Sequence, residues 1–261
     1  MAEVNRVRPT RSLSDMVYSG RGITIGMTPE GMPFVGYTLS GRSPPSKARR
    51  LEPESKGDLV IVSTRPTDES VLQKGNPALL VYPVIMANAQ KIAISNGAQT
   101  ALVLKAALPQ ALAYPTYING IDVTSYEPDP SHTPRVTGEL KRGPQGWKSV
   151  FHIVKKADDS DEPRRKVYHY KLEPGMARTM TTYAGGNESP LLPFSVAPMR
   201  TAITLNDPQE LCAYLFSELR GSGAEDYRIA TAVVTRTPAE RGDAINVATL
   251  NAQVNQFHPR P

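Results

Sequence analysis

The chain has 261 residues with one cysteine, Cys212, and four scattered histidines, so it has neither an internal disulfide nor a Cys-x-x-Cys zinc framework. Its 39% apolar and 21% charged residues are those of a globular protein, and no apolar run approaches the ~18 residues of a membrane span. The net charge of +5 suits an anionic ligand, but the cations do not gather on a helix and no nucleic-acid-binding motif is present, which favours a small phosphorylated ligand over nucleic acid.

Residues 1–15, with Arg6, Arg8 and Arg11 among Ser and Pro, are expected to be a flexible extension. They lack the apolar stretch of a signal peptide, which points to the cytoplasm. No linker divides residues 16–261, which read as a single domain. Ile23, Ile25 and Met27 alternate, Thr28-Pro29-Glu30-Gly31 turns, and Phe34, Val35, Tyr37 and Leu39 continue the pattern, predicting a β-hairpin. At its end lies Ser40-Gly41-Arg42-Ser43-Pro44-Pro45-Ser46-Lys47, followed by Arg49 and Arg50. Two readings stand for this segment, a phosphate cradle or a solvated basic loop. Leu59–Val62 and Lys91–Ser95 are predicted strands, the second closed by Asn96-Gly97. The Ala- and Leu-rich stretch 98–112 predicts a helix interrupted at Pro109.

Residues 126–135, Tyr-Glu-Pro-Asp-Pro-Ser-His-Thr-Pro-Arg, pack an acid, a base and an aromatic hydroxyl among prolines. Proline fixes φ and extends the residue before it, so Pro128, Pro130 and Pro134 exclude a helix and hold Glu127, Asp129 and Arg135 in one rigid arrangement. By itself this is a surface turn or a site. A second hairpin follows from Val136 to Val154 around Gly143-Pro144-Gln145-Gly146. The charged stretch 155–166 reads as a solvated connection, and 167–172 is expected to pair with 177–182 around Glu173-Pro174-Gly175. Residues 181–187, with Thr182, Tyr183 and two glycines, are a loop or a binding rim. Asp207–Arg220 is the clearest helix, with Asp207 or Asn206 as cap, Pro208 in the first turn and Gly221 as stop. Strands 228–235 and 245–251 finish an antiparallel α+β pattern.

The glycines Gly20, Gly22 and Gly26 open a strand rather than a helix, unlike a dinucleotide loop. No Walker loop, Gly-x-Ser-x-Gly elbow or His-Glu-x-x-His helix is present.

Taken in order, Tyr18-x-Gly20-Arg21, Gly26, Tyr37-Thr38-Leu39-Ser40-Gly41-Arg42-Ser43, Asn76-Pro77, Tyr82, Ser95-Asn96-Gly97, Tyr126-Glu127, Asp129, Thr133-Pro134-Arg135 and Thr182-Tyr183 resemble the archaeal-type IMP cyclohydrolases and their bacterial relatives. The resemblance implies a four-layered αββα sandwich of largely antiparallel sheets, similar to the Ntn-hydrolase fold. It implies a hydrolase that closes 5-formamidoimidazole-4-carboxamide ribonucleotide to IMP in purine biosynthesis, without cofactor or metal. Autocatalytic Ntn chemistry is disfavoured, because about fifteen residues precede the first strand and no Cys, Ser or Thr stands at the start. Arg42, Ser43 and Lys47 would hold the phosphate. Arg135, Tyr82, Asn96 and Tyr183 would surround the base and formyl group, Glu127 would orient Arg135 or shuttle a proton, and Gly97 and Arg21 would complete the site. Lys47 departs from the family, where an arginine is expected, as do the extension and the acidic insert 158–162. These departures leave open a paralogue acting on a related azole ribonucleotide, or a purine-nucleotide-binding protein without catalysis; oligomeric state is not legible.

Overall fold

The computed structural model describes residues 12–144, 146–237 and 244–252. The alternation from Ile23 builds β1 (Arg21–Met27), which pairs antiparallel with β2 (Pro33–Ser40). Gly31 takes the left-handed φ of 82° that their turn requires. Helix α1 (Pro44–Lys47) leads into the hairpin β3 (Arg49–Lys56) and β4 (Leu59–Pro66), and α2 (Glu69–Leu72) and α3 (Pro77–Leu80) lead to β5 (Pro83–Ala87) and β6 (Lys91–Ser95). After α4 (Thr100–Lys105) come the two-residue strands β7 (Tyr117–Ile118) and β8 (Ile121–Asp122), then β9 (Arg135–Gly143), β10 (Gly146–Lys156) and β11 (Pro163–Lys171). The chain closes with β12 (Met176–Thr181), β13 (Met199–Ala202), α5 (Pro208–Glu218), β14 (Arg228–Arg236) and β15 (Ile245–Asn251).

Two large antiparallel sheets result, ordered β13-β12-β1-β2-β14-β15 and β11-β10-β9-β6-β5-β4-β3, with β7 and β8 forming a separate small pair. One core joins them, with Ile23 and Ile25 of the first packed among Ile94 and Val136 of the second. Burying each such side chain contributes about 1.5–3 kcal/mol. At Gly138 of β9 the sheets approach so closely that a Cβ would collide with Ile25 and Ile94. Period-two alternation then sets the outer faces. Gly36 of β2 abuts Leu215 of α5, while its neighbour Tyr37 reaches across to Tyr82. On β6, Ile92 and Ile94 join the shared core, while Ala93 packs with Val103 of α4 and with Leu108. Among the described residues no helix is long and apolar enough to cross a membrane.

Several expectations are corrected. The helix over 98–112 is only α4 and a 3-10 turn at Gln110–Leu112. The Lys91 ammonium donates to the Val103 and Ala106 carbonyls, closing α4 before the proline, and Glu139 accepts the Leu108 N–H. The segments around Glu173-Pro174-Gly175 do not pair with each other. β11 pairs with β10 in one sheet and β12 pairs with β1 in the other, so the turn crosses between sheets. The charged connection shrinks to residues 157–162, because Lys155 and Lys156 belong to β10 and Pro163–Lys166 to β11. β11 is an edge strand, where charge guards an open row of backbone groups. β3 and β5 were not expected, and the charged, proline-containing β3 is the opposite edge of the same sheet. Residues 1–11 lie outside the described residues, but Leu13 is buried in the core, ahead of the boundary at residue 15.

Candidate active site

The proline-rich segment is fastened by its own polar groups. Glu127 N–H donates to the Thr133 carbonyl at 2.8 Å, and the Asp129 carboxylate accepts from Thr133 N–H at 2.7 Å and from the Thr133 hydroxyl at 2.6 Å. His132, at φ 45°, makes the left-handed bend that folds the segment back. Outside, Tyr126 meets the His132 ring edge-on and donates to the Asp161 carbonyl at 2.8 Å, which ties the acidic insert to this loop. Inside, Glu127 and Arg135 come together.

Three buried charges form the centre. One Glu127 oxygen lies 2.5 Å from Arg21 Nη2 and 3.7 Å from Arg135 Nη1. Arginine does not give up its proton, so the pair needs a carboxylate as acceptor. Burial raises the Glu127 carboxyl, opposed by Arg21 and Arg135, and burial lowers Arg135. Two guanidiniums against one carboxylate leave net positive charge in a buried site, and the Nε groups of Arg21 and Arg135 have no hydrogen-bond partner among the described residues. Such a site stabilises negative charge developing on a bound oxygen.

Asn96 and Gly97, in the turn after β6, set Arg135. The Asn96 amide donates to the Pro134 carbonyl and lies 3.5 Å from Glu127. Gly97 leaves no room for a Cβ between the Arg135 guanidinium and the Gln99 carboxamide. Gln99 accepts from Arg135 Nη1 at 3.5 Å and donates to Thr137 Oγ1 at 3.3 Å.

The tyrosines take different positions around this centre. Tyr82 hydrogen-bonds Tyr37 at 3.2 Å, and with Arg135 it lines a cavity of about 220 Å³ walled by α3, α4 and the β7–β8 hairpin. Tyr183 hydrogen-bonds Thr133 Oγ1 at 2.7 Å, and its phenol is pushed up to about 12 by burial. It stacks on Tyr18 with ring centroids 5.7 Å apart, and Tyr18 meets Tyr227 edge-on.

This tyrosine row leads to the basic segment. The Arg42 guanidinium sits 5.0 Å over the Tyr18 ring and donates to Asn187, whose amide donates to Tyr227. Lys47 Nζ lies 5.9 Å from the Tyr227 ring. Ser43 is occupied locally, capping α1 through Ser46 N–H and donating to Ser46 Oγ. The structure thus gathers Arg21, Glu127, Arg135, Asn96 and Gly97 into one buried cluster flanked by Tyr82 and Tyr183, with Arg42 and Lys47 on the outer side of the tyrosine row. Sequence reasoning did not assign Gln99, Thr133 or Arg49. Arg49 is buried, donates through Nε to the Ser46 carbonyl, and among the described residues has no hydrogen-bond partner for Nη1. Its position just after the basic segment was the available signal.

The family model described as IMP cyclohydrolase-like protein matches residues 18–242, and the chain belongs to that family. Over 127 residues it is 33% identical to the IMP cyclohydrolase of Methanocaldococcus jannaschii, covering 48% of this chain and 57% of that protein. Over 133 residues it is 29% identical to the IMP cyclohydrolase of Thermococcus kodakarensis, covering 51% and 61%. Over 176 residues it is 28% identical to the IMP cyclohydrolase of Methanococcus maripaludis, covering 66% and 77%. The first two matches thus span less than two thirds of those relatives' length.

Proposed function

We propose that this protein is an IMP cyclohydrolase, closing 5-formamidoimidazole-4-carboxamide ribonucleotide to IMP with loss of water, in the cytoplasm and as one domain. Family membership and the names of the relatives support the substrate class. The two sheets, with α5 and α4 against their outer faces, support a four-layered αββα arrangement similar to the Ntn-hydrolase fold.

The observation that carries the reading is the buried Arg21–Glu127–Arg135 cluster beside Tyr82 and its cavity. Both reacting groups belong to one substrate, so the enzyme selects the rotamer that brings the carboxamide nitrogen to the formyl carbon, and orientation supplies up to about 7 kcal/mol or more of the barrier reduction. As the C–N bond forms, the formyl oxygen gains negative charge opposite Arg135 and Arg21. Glu127 holds both guanidiniums in place. Arg42, Lys47 and Arg49 receive the phosphate, with Ser43 shaping their loop. The cavity is smaller than the ~300 Å³ of pockets that enclose whole ligands, which suits the base and formyl group with the phosphate outside.

The test is to mix the purified protein with the formamido ribonucleotide, without added metal or cofactor, and follow IMP. Formation of IMP supports the reading. Binding without turnover points to a nucleotide-binding protein, and the absence of both to another azole ribonucleotide.

A further inference from the structure

Arg42 is anchored by one end of its guanidinium. Its Nη1 donates to the Asn187 side-chain oxygen at 3.0 Å and to the Asn187 carbonyl at 3.2 Å. Because arginine only donates, the carboxamide turns its oxygen to Arg42 and its nitrogen to Tyr227, whose hydroxyl accepts at 2.8 Å. The backbone of this loop is fastened beside the same tyrosines, with the Gly185 carbonyl accepting from Val17 N–H at 2.8 Å and Tyr18 N–H at 3.2 Å. The contacts close into a ring, since Arg42 stands over Tyr18 and Tyr18 meets Tyr227 with centroids 5.3 Å apart. Anchoring through Nη1 leaves the other edge of the guanidinium, Nε and Nη2, without a hydrogen-bond partner among the described residues. That edge is a fork for two oxygens of one anion. Arg228 uses it on Asp226, with Nε 3.0 Å from Oδ1 and Nη2 2.7 Å from Oδ2. The difference lies in the anchor: Asp226 neutralises Arg228, whereas the Asn187 carboxamide is neutral and leaves Arg42 its full charge.

We infer that Asn187 is a positioning residue that aims the free Arg42 fork at the substrate phosphate. This deepens the cyclohydrolase reading and rests on its placement of the phosphate at Arg42. A cation over a ring face is attracted without a fixed direction, so the two bonds to Asn187 supply the direction. Lys47, over the adjoining Tyr227 ring, makes no salt bridge among the described residues and adds a second cation to the same rim. Asn187 touches neither the cavity beside Tyr82 nor the buried Arg21–Glu127–Arg135 cluster, so its effect is on binding rather than on the closure step.

The probe is ribose 5-phosphate, titrated calorimetrically into the full chain, with steady-state IMP formation measured beside it. Asn187→Ala is expected to weaken ribose 5-phosphate binding and to raise KM, each about tenfold, with kcat unchanged. Asn187→Asp places a carboxylate against Arg42 and is expected to weaken both further. Tyr227→Phe keeps the ring but removes the acceptor of the Asn187 amide, so it shifts binding in the same direction even if Asn187→Ala does not fold. Because Asn187 acts through Arg42, combining Arg42→Ala with Asn187→Ala is expected to cost no more affinity than Arg42→Ala alone. Additive losses, or wild-type affinity in both Asn187→Ala and Tyr227→Phe, overturn the inference, as does a wild-type protein that does not bind ribose 5-phosphate. The probe carries no reacting groups, so binding that follows this pattern supports the inference even where no IMP forms, and the cyclohydrolase reading alone then fails.

Discussion

Asn96 grips the backbone on both sides of Arg135, donating from its amide to the Pro134 carbonyl at 2.8 Å and accepting from Val136 N–H at 2.8 Å on its side-chain oxygen. The turn after β6 thereby sets the exit of the proline-rich loop and the start of β9 at one point. Arg135 owes its direction to this clamp as much as to its ion pair.

Removing the clamp leaves a buried carbonyl and a buried N–H unmatched. Asn96→Ala is expected to cost about 1–3 kcal/mol for each group left unsatisfied, read from the denaturant midpoint. Turnover should fall as well, because Arg135 loses its support.

The central charges do not contribute equally. On the proposed mechanism Arg135→Ala removes a donor to the developing oxyanion and is expected to lower kcat about a hundredfold or more, the ~2.7–4 kcal/mol typical of one such group. Glu127→Ala instead leaves two guanidiniums buried without their carboxylate, and breaking such a pair costs about 3–5 kcal/mol of stability. Comparing melting curves and IMP formation for the two variants separates the roles; wild-type turnover in Arg135→Ala removes it from the mechanism.

Gly97→Ala tests position without touching charge. The added methyl meets the ends of the Arg135 and Gln99 side chains, so those side chains move while the fold survives. A displacement near an ångström costs up to ~100-fold in rate. Steady-state kinetics should therefore show a large loss in kcat with little change in Tm.

His152 makes stability depend on pH. It is buried in β10, and burial, with Arg165 nearby, lowers its pKa from 6.5 to about 4. The unfolded chain takes up a proton at higher pH than the folded one, so this contribution is complete above pH 6.5 and declines as pH falls toward about 4. The loss reaches at most about 3 kcal/mol. Urea unfolding across this window should show the slope, and His152→Leu should flatten it.

Local chemistry made much of the fold readable. The β1–β2 and β9–β10 hairpins follow from alternation bounded by turn residues, and α5 follows from the Asp207 cap with proline in its first turn. The rigidity of the proline-rich loop was readable because proline restricts its own φ and the conformation of its predecessor. The sheets to which β11 and β12 belong were not readable, because a turn motif reports that the chain reverses and says nothing about partner strands. Edge strand β3 was hidden for a related reason: its charges and Pro53 are what an exposed edge tolerates.

The sequence by itself determined which chemical groups are present, which segments are extended or helical, and that Glu127 and Arg135 share one stiff loop. Only the tertiary structure decided that Arg21 meets that carboxylate from β1, 106 residues away. It also decided that Ser43 caps a helix, that Arg49 is a buried cation, and that Tyr183 reaches Asp129 through Thr133. Periodicity and turn preference act over a few residues. Contacts across a hundred residues are chosen by the joint burial of two sheet faces, which no local pattern encodes.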